Sequence, residues 1–116
     1  MSDFQIFHNP RCSKSRQTLA ILQEKGIEPA VVHYLEETPS VAELKAIISK
    51  LGISPRELLR KGEDAYKELN LQNPELTDEA LLEAMVSHPK LIERPIVVKG
   101  NKAVLGRPPE NVLELI

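Results

Sequence analysis

The order of apolar periods predicts an α/β fold built on a four-stranded mixed sheet, a βαβ unit and a ββα unit with helices inserted between them. Three observations carry this. Residues 4–35 read strand, helix, strand, and residues 40–87 read as helices throughout. The last third returns to strand period, with Gly100-Asn101 as a two-residue hairpin turn.

Phe4, Ile6 and Phe7 form a short buried strand that Asn9-Pro10 ends. From Ser13 to Lys25 the pattern is helical, with Leu19, Ile21 and Leu22 apolar and Gly26 as the stop. Ala30 to Leu35 is the second strand, bounded by Pro29 and by Glu36-Glu37-Thr38-Pro39. A strand, a helix and a strand in this order imply two parallel neighbours. Ser40 with Glu43 makes a capping box for a helix carrying Leu44, Ile47, Ile48 and Leu51 as far as Gly52. Ser54, Pro55 and Glu57 repeat the signature, opening a helix through Leu58 and Leu59 towards Arg60. After a break at Lys61-Gly62 comes a short segment with Tyr66 and Leu69. Thr77 then caps a helix with Leu81, Leu82, Met85 and Val86 on its apolar face, stopped by His88-Pro89. Ile96 to Val98 and Ala103 to Leu105 are the hairpin strands, and Pro108-Pro109 opens a last helix bearing Val112, Leu113, Leu115 and Ile116. This is the layout of the thioredoxin fold, with a helical insertion at about 40–90 inside one domain.

A chain of 116 residues can bury a core without disulfides or metals, and with 3% aromatic residues and no Trp that core rests on Leu, Ile, Val and Ala. A net charge of −2 lacks the basic excess of a general nucleic-acid binder. No apolar run reaches membrane-spanning length. Met1-Ser2-Asp3-Phe4 shows no leader pattern, and a single cysteine suits a reducing cytoplasm.

That cysteine, Cys12, lies in HNPRCSKSR, where the first strand gives way to the first helix. Arg11, Lys14 and Arg16 surround it in sequence. A sulfur at a helix N-terminus among cations is stabilised as thiolate, which makes Cys12 the candidate nucleophile; the competing reading is a small inert core residue. Ser15 stands at the spacing of a Cys-x-x-Cys pair with a hydroxyl in place of the second sulfur. A hydroxyl cannot resolve a mixed disulfide, so a redox cycle must take its second thiol from another molecule. Ser15 is a donor to the thiolate or to a bound oxyanion, unless Ser13 or Ser15 simply caps the helix. His8 is placed to stabilise the thiolate as a cation or to shuttle a proton. His33 and His88 lack metal-site spacing.

Arg60, Arg94 and Arg107 stand where elements end, and their guanidinium forks suit tetrahedral oxyanions. Arg56, inside a helix beside Glu57, is expected to face solvent. Pro95 heads the third strand, where the thioredoxin fold holds a cis-proline facing the active-site cysteine, so a cis Arg94–Pro95 bond is expected.

HNPRCSKSR, LLRKGEDAYKEL from Leu58 to Leu69, RPIVV from Arg94 and GRPPE from Gly106 together make the chain closely resemble the glutaredoxin-linked arsenate reductase family. The resemblance follows the family's order and spacing over nearly the whole chain. It implies that Cys12 is the nucleophile, that Arg60, Arg94 and Arg107 bind the oxyanion, that His8 helps lower the thiol pKa and that Ser15 hydrogen-bonds near it. The implied reaction uses one cysteine. Cys12 attacks arsenic in arsenate, glutathione attacks the adduct as cosubstrate, and glutaredoxin removes glutathione to yield arsenite, with no bound metal or prosthetic group. Lys14 adds to the attraction for anions.

Two other readings stand beside it. One is a glutathione-dependent thiol/disulfide reductase acting on mixed disulfides. The other is an Spx-like transcription regulator, which shares the fold and binds RNA polymerase without catalysis. Arg60 and Arg107, which an oxyanion site needs and a docking protein does not, weigh against the regulator. So does the absence of a second cysteine at position 15.

Overall fold

A computed structural model describes residues 3–116. The N-terminal reading rests partly on Met1 and Ser2, which lie outside the described residues. Two compact units form: the chain up to Glu37 together with Arg94–Ile116, and Thr38–Glu93.

The first unit is the sheet unit, a thioredoxin-like α/β arrangement. Its strands are β1 (Phe4–Phe7), β2 (Ala30–Val32), β3 (Ile96–Lys99) and β4 (Lys102–Leu105), in the order β2-β1-β3-β4. β1 pairs parallel with β2, Ile6 opposite Val31, and antiparallel with β3, Ile6 opposite Val97. β3 and β4 form the expected hairpin, and Gly100 takes the positive φ of 58° that its turn requires. Helix α1 (Ser13–Glu24) ends in a Schellman motif. The Ile27 N–H reaches the Leu22 carbonyl at 2.9 Å, the Gly26 N–H reaches that of Gln23 at 3.0 Å, and Gly26 sits at φ 77°. The same reversal turns Ile27 onto Leu22. The core gathers Phe4, Ile6, Leu22, Val97, Val112 and Leu115, with Leu19, Ile21, Ile27 and Val104 packed against it.

Two sequence expectations change here. β2 stops at Val32 instead of Leu35, because the His33 carbonyl accepts the N–H groups of Glu36 and Glu37 and turns the chain, burying Tyr34. The last helix is 3₁₀, Pro109–Leu115. At three residues per turn, positions three apart share a face, so Pro109, Val112 and Leu115 are buried while Leu113 and Ile116 are exposed. A 3.6-residue period had put Leu113 and Ile116 on the apolar side.

The second unit is helical: α2 (Val41–Leu51), α3 (Pro55–Leu58), α4 (Asp64–Glu68), α5 (Asp78–Ser87) and a 3₁₀ turn at Pro89–Leu91. The capping box holds at Ser40, whose side chain accepts the Glu43 N–H while Glu43 accepts that of Ser40. Gly52 ends α2 at φ 71°. Thr77 caps α5 by accepting the Ala80 N–H. Leu44, Ile47, Leu58, Leu81, Leu82, Met85 and Leu91 are buried.

Arg56 is half-buried rather than turned out to solvent. Its two terminal nitrogens donate to the carbonyls of Leu71 and Asn73, each at 2.9 Å, and so fix the loop between α4 and α5. After α3 the chain is extended rather than helical. Leu59 bridges Ile92, the Arg60 N–H reaches the Leu91 carbonyl at 2.8 Å, and the Glu93 N–H reaches that of Leu58 at 2.8 Å. Arg60 therefore leaves from a pinned backbone. Among the described residues no helix is long and apolar enough to cross a membrane.

Candidate active site

The turn between β1 and α1 is made by its own sequence. The Asn9 side chain accepts the Arg11 N–H at 3.0 Å, the Asn9 carbonyl accepts that of Cys12 at 3.0 Å, and Pro10 lies between them. Helix α1 then starts, with the Cys12 carbonyl accepting the Arg16 N–H. Cys12 is thus the N-cap residue, extended at φ −94° and ψ 122°. Neither Ser13 nor Ser15 caps the helix. As a thiol, Cys12 makes no side-chain cap bond, but an ionised sulfur at this position faces N–H groups that lack helical partners.

Burial opposes ionisation of this sulfur. Against it act the Ser15 backbone N–H, the charge of Arg94, the Lys14 backbone N–H and a hydrogen bond from the Arg94 side chain. Their sum wins, and the thiol pKa lies below the ordinary value. The source of the field differs from the one the sequence suggested. Arg11 and Arg16 are exposed, and Lys14 contributes through its peptide N–H rather than its ammonium.

His8 is buried, and its Nδ1 shares a hydrogen bond with Ser15 Oγ at 2.6 Å. Ser15 Oγ also accepts the Asn9 N–H at 3.0 Å, so the side chain ties the turn together while the Ser15 backbone serves the thiolate. Burial, and then the charge of His33 with its ring 6.1 Å away, push the His8 pKa below its usual 6.5. A buried ring so shifted is neutral at neutral pH, which removes the expected cationic role. The sign for stability follows. Unfolded His8 takes up a proton as pH falls through 6.5 while folded His8 resists it, so stability is kept above that value and lost below it. Urea denaturation of His8→Gln is expected to show a smaller loss of stability than the parent between about pH 7 and about pH 5.

The Arg94–Pro95 bond is cis, as expected, and so is Arg107–Pro108, which the sequence reading did not anticipate. These two segments lie side by side. The Gly106 N–H donates to the Pro95 carbonyl at 2.9 Å, and Arg107 reaches the Arg94 carbonyl at 3.4 Å. Asn111 Nδ2 donates to the carbonyls of Leu105 and Arg107, at 3.1 and 3.2 Å, fixing the loop that carries Arg107. Asn111 was missed from sequence, although its place four residues after Arg107 is a local hydrogen-bonding distance.

The sheet unit therefore brings together Cys12, His8, Ser15, the Lys14 peptide and Arg94, with Pro95 and Arg107 adjoining Arg94. Arg60 belongs to the helical unit. There it is half-buried, donates to Glu63 at 2.9 Å and pairs more loosely with Glu93 at 3.6 Å. Among the described residues no three His, Cys, Asp or Glu side chains are grouped so as to hold a metal ion.

Comparison with known proteins shows the family and the fold. The ArsC family model matches residues 7–115. YfgD of Escherichia coli (strain K12), an uncharacterized protein, is 58% identical over 113 residues, covering 97% of this chain and 95% of its own. The arsenate reductase of Neisseria meningitidis serogroup A is 53% identical over 113 residues, 97% of either chain. A solved arsenate reductase from Vibrio cholerae superposes with a TM-score of 0.95 at 55% identity, covering 97% of both chains. With a family match across almost its whole length and relatives this similar, the chain belongs to the ArsC family.

Proposed function

We propose that the chain reduces arsenate to arsenite, with Cys12 as nucleophile and glutathione and glutaredoxin as the source of electrons. The observation that carries this reading is the Cys12 sulfur at the N-terminus of α1, its pKa lowered by the Ser15 and Lys14 N–H groups and Arg94 against the opposing effect of burial. Close similarity to a named arsenate reductase supports the choice of substrate.

The chemistry balances with one protein thiol. Attack of the Cys12 thiolate on arsenic forms a sulfur–arsenic bond and releases one arsenate oxygen as water, leaving arsenic in the +5 state. Glutathione sulfur then bonds to arsenic, displacing a second oxygen as water. A glutaredoxin thiolate attacks the glutathione sulfur. The arsenic–glutathione bond breaks with its electron pair remaining on arsenic, now in the +3 state, and a glutathione–glutaredoxin disulfide forms. Water finally hydrolyses the Cys12–arsenic bond, releasing arsenite and the thiol. In this reading Arg60, Arg94 and Arg107 donate to the arsenate oxygens, and the neutral His8 keeps Ser15 in place. Ser15, having no sulfur, leaves the second thiol to the partner, and that dependence on reduced thiols fits the cytoplasm.

The test is turnover with purified components, followed as NADPH oxidation through glutathione reductase. Arsenate-dependent oxidation that requires both glutathione and glutaredoxin is the expected result. No arsenate-dependent turnover with everything present overturns the reading, and reduction of a glutathione mixed disulfide in its place identifies a thiol/disulfide reductase.

A further inference from the structure

Thr18, one turn beyond the start of α1, has no place in the reaction as described, yet it is fully buried. Its Oγ1 donates to the Lys14 carbonyl at 2.8 Å and lies 3.5 Å from the carbonyl of Gly106. The contact with Gly106 is closer than any side chain would tolerate. A Cβ built at Gly106 falls 2.5 Å from Thr18 Oγ1, 3.1 Å from Thr18 Cγ2 and 2.7 Å from Pro95 Cγ. The backbone at Gly106 is therefore wedged between Thr18 and Pro95. Its flanking bonds, Gly106 N–H to the Pro95 carbonyl and Arg107 to the Arg94 carbonyl, extend the contact to both arginines.

We propose that Thr18 is a positioning residue: it seats the Gly106–Arg107 and Arg94–Pro95 segments against the first turn of α1 and thereby sets the distance between the Arg94 guanidinium and the Cys12 sulfur. One end of the lever is the peptide between Lys14 and Ser15, whose N–H, that of Ser15, faces the thiolate and whose carbonyl, that of Lys14, Thr18 holds. The other end is Pro95, covalently next to Arg94. Threonine suits the seat on both counts. Its hydroxyl satisfies a helix carbonyl one turn back, and its branched Cβ fills the space over a residue that has no side chain. Groups that act on Cys12 ionisation here are Arg94 and the Lys14 and Ser15 N–H groups, with His8 behind Ser15. Thr18 itself carries no charge, so any effect on the thiol has to pass through geometry.

The readout is the pH dependence of iodoacetamide alkylation of Cys12, which needs no assumption about arsenate and so stands or falls separately from the proposed function. Thr18→Ala is expected to lower the alkylation rate at about pH 6 by about threefold or more, the thiolate lost when a thiol pKa rises by roughly half a unit. Thr18→Ser, which keeps the hydroxyl, is expected to restore the parent profile. Gly106→Ala presses on the same contact from the other side and is expected to shift the profile in the same direction. In Thr18→Ala/Gly106→Ala two of the three obstructing atoms are gone, so the double variant should lose less than the sum of the singles. Alanine variants that lower Tm but alkylate with the parent pH profile would reduce Thr18 to a packing residue and overturn the proposal. Strict additivity of the two shifts would do the same.

Discussion

Cys12→Ser is expected to take arsenate turnover to the assay floor, a loss of roughly 10⁴-fold or more, on the scale seen when an enzyme nucleophile is removed. The reason is specific to this position. The Ser15 and Lys14 N–H groups and Arg94 make a thiolate accessible because a thiol starts within reach of ionisation. The same field acting on a serine hydroxyl leaves it protonated. Structure should not suffer. The residue is the N-cap of α1, where serine ranks among the favoured side chains, and the introduced hydroxyl oxygen can accept a first-turn N–H directly. Thermal denaturation is accordingly expected to show a Tm equal to or above that of the parent. A site residue whose replacement improves the local cap and abolishes the activity is one held for chemistry. Turnover within about tenfold of the parent would exclude Cys12 as the attacking group.

Helix starts and the reactive turn were legible because their causes are local. Asn9-Pro10 before Cys12 turns the chain within hydrogen-bond reach of itself, and Ser40, Ser54 and Thr77 announce helices from within the first turn. The parallel pairing of β1 with β2 and the β3–β4 hairpin followed from connectivity. What stayed hidden depends on partners distant in sequence. Arg56 looked solvent-facing because its acceptors, the carbonyls of Leu71 and Asn73, lie on a loop beyond the next helix. The electrostatic source at Cys12 was assigned to its sequence neighbours, whereas Arg94, which follows the whole helical unit along the chain, supplies the side-chain charge. His8 had two readings, a stabilising cation or a proton shuttle, the first because charge is a common use of histidine beside a thiolate. Burial and His33, neither visible in the local motif, settle it as neutral. The motif GRPPE is legible as a pattern, but its glycine is crowded by Thr18, 88 residues away, and by Pro95.

Arg94→Ala is expected to raise the Cys12 pKa and to lower turnover at neutral pH by about 10²–10³-fold, the cost of removing one preorganised donor from a developing charge. Without Arg94, burial still opposes the thiolate, and only the helix N–H groups of Ser15 and Lys14 remain against it. The alkylation rate of the parent should persist as pH falls until the depressed thiol value is passed, while that of the variant should fade at a higher pH. Stability carries the same sign. A thiol whose folded pKa is depressed contributes stability that is fully present above the unfolded value and is lost as pH falls through the folded one. In Arg94→Ala the two values approach each other, so this contribution shrinks and its pH dependence flattens, which urea titrations between about pH 6 and about pH 9 would measure. Arg94→Lys separates the two services of the side chain. An ammonium keeps the charge beside Cys12 but not the planar fork, so alkylation should recover more fully than arsenate turnover. Equal recovery of both would mean that Arg94 acts on the sulfur alone and that the arsenate oxygens are held elsewhere. An unshifted alkylation profile in Arg94→Ala would leave the helix N-terminus as sufficient cause of the thiolate.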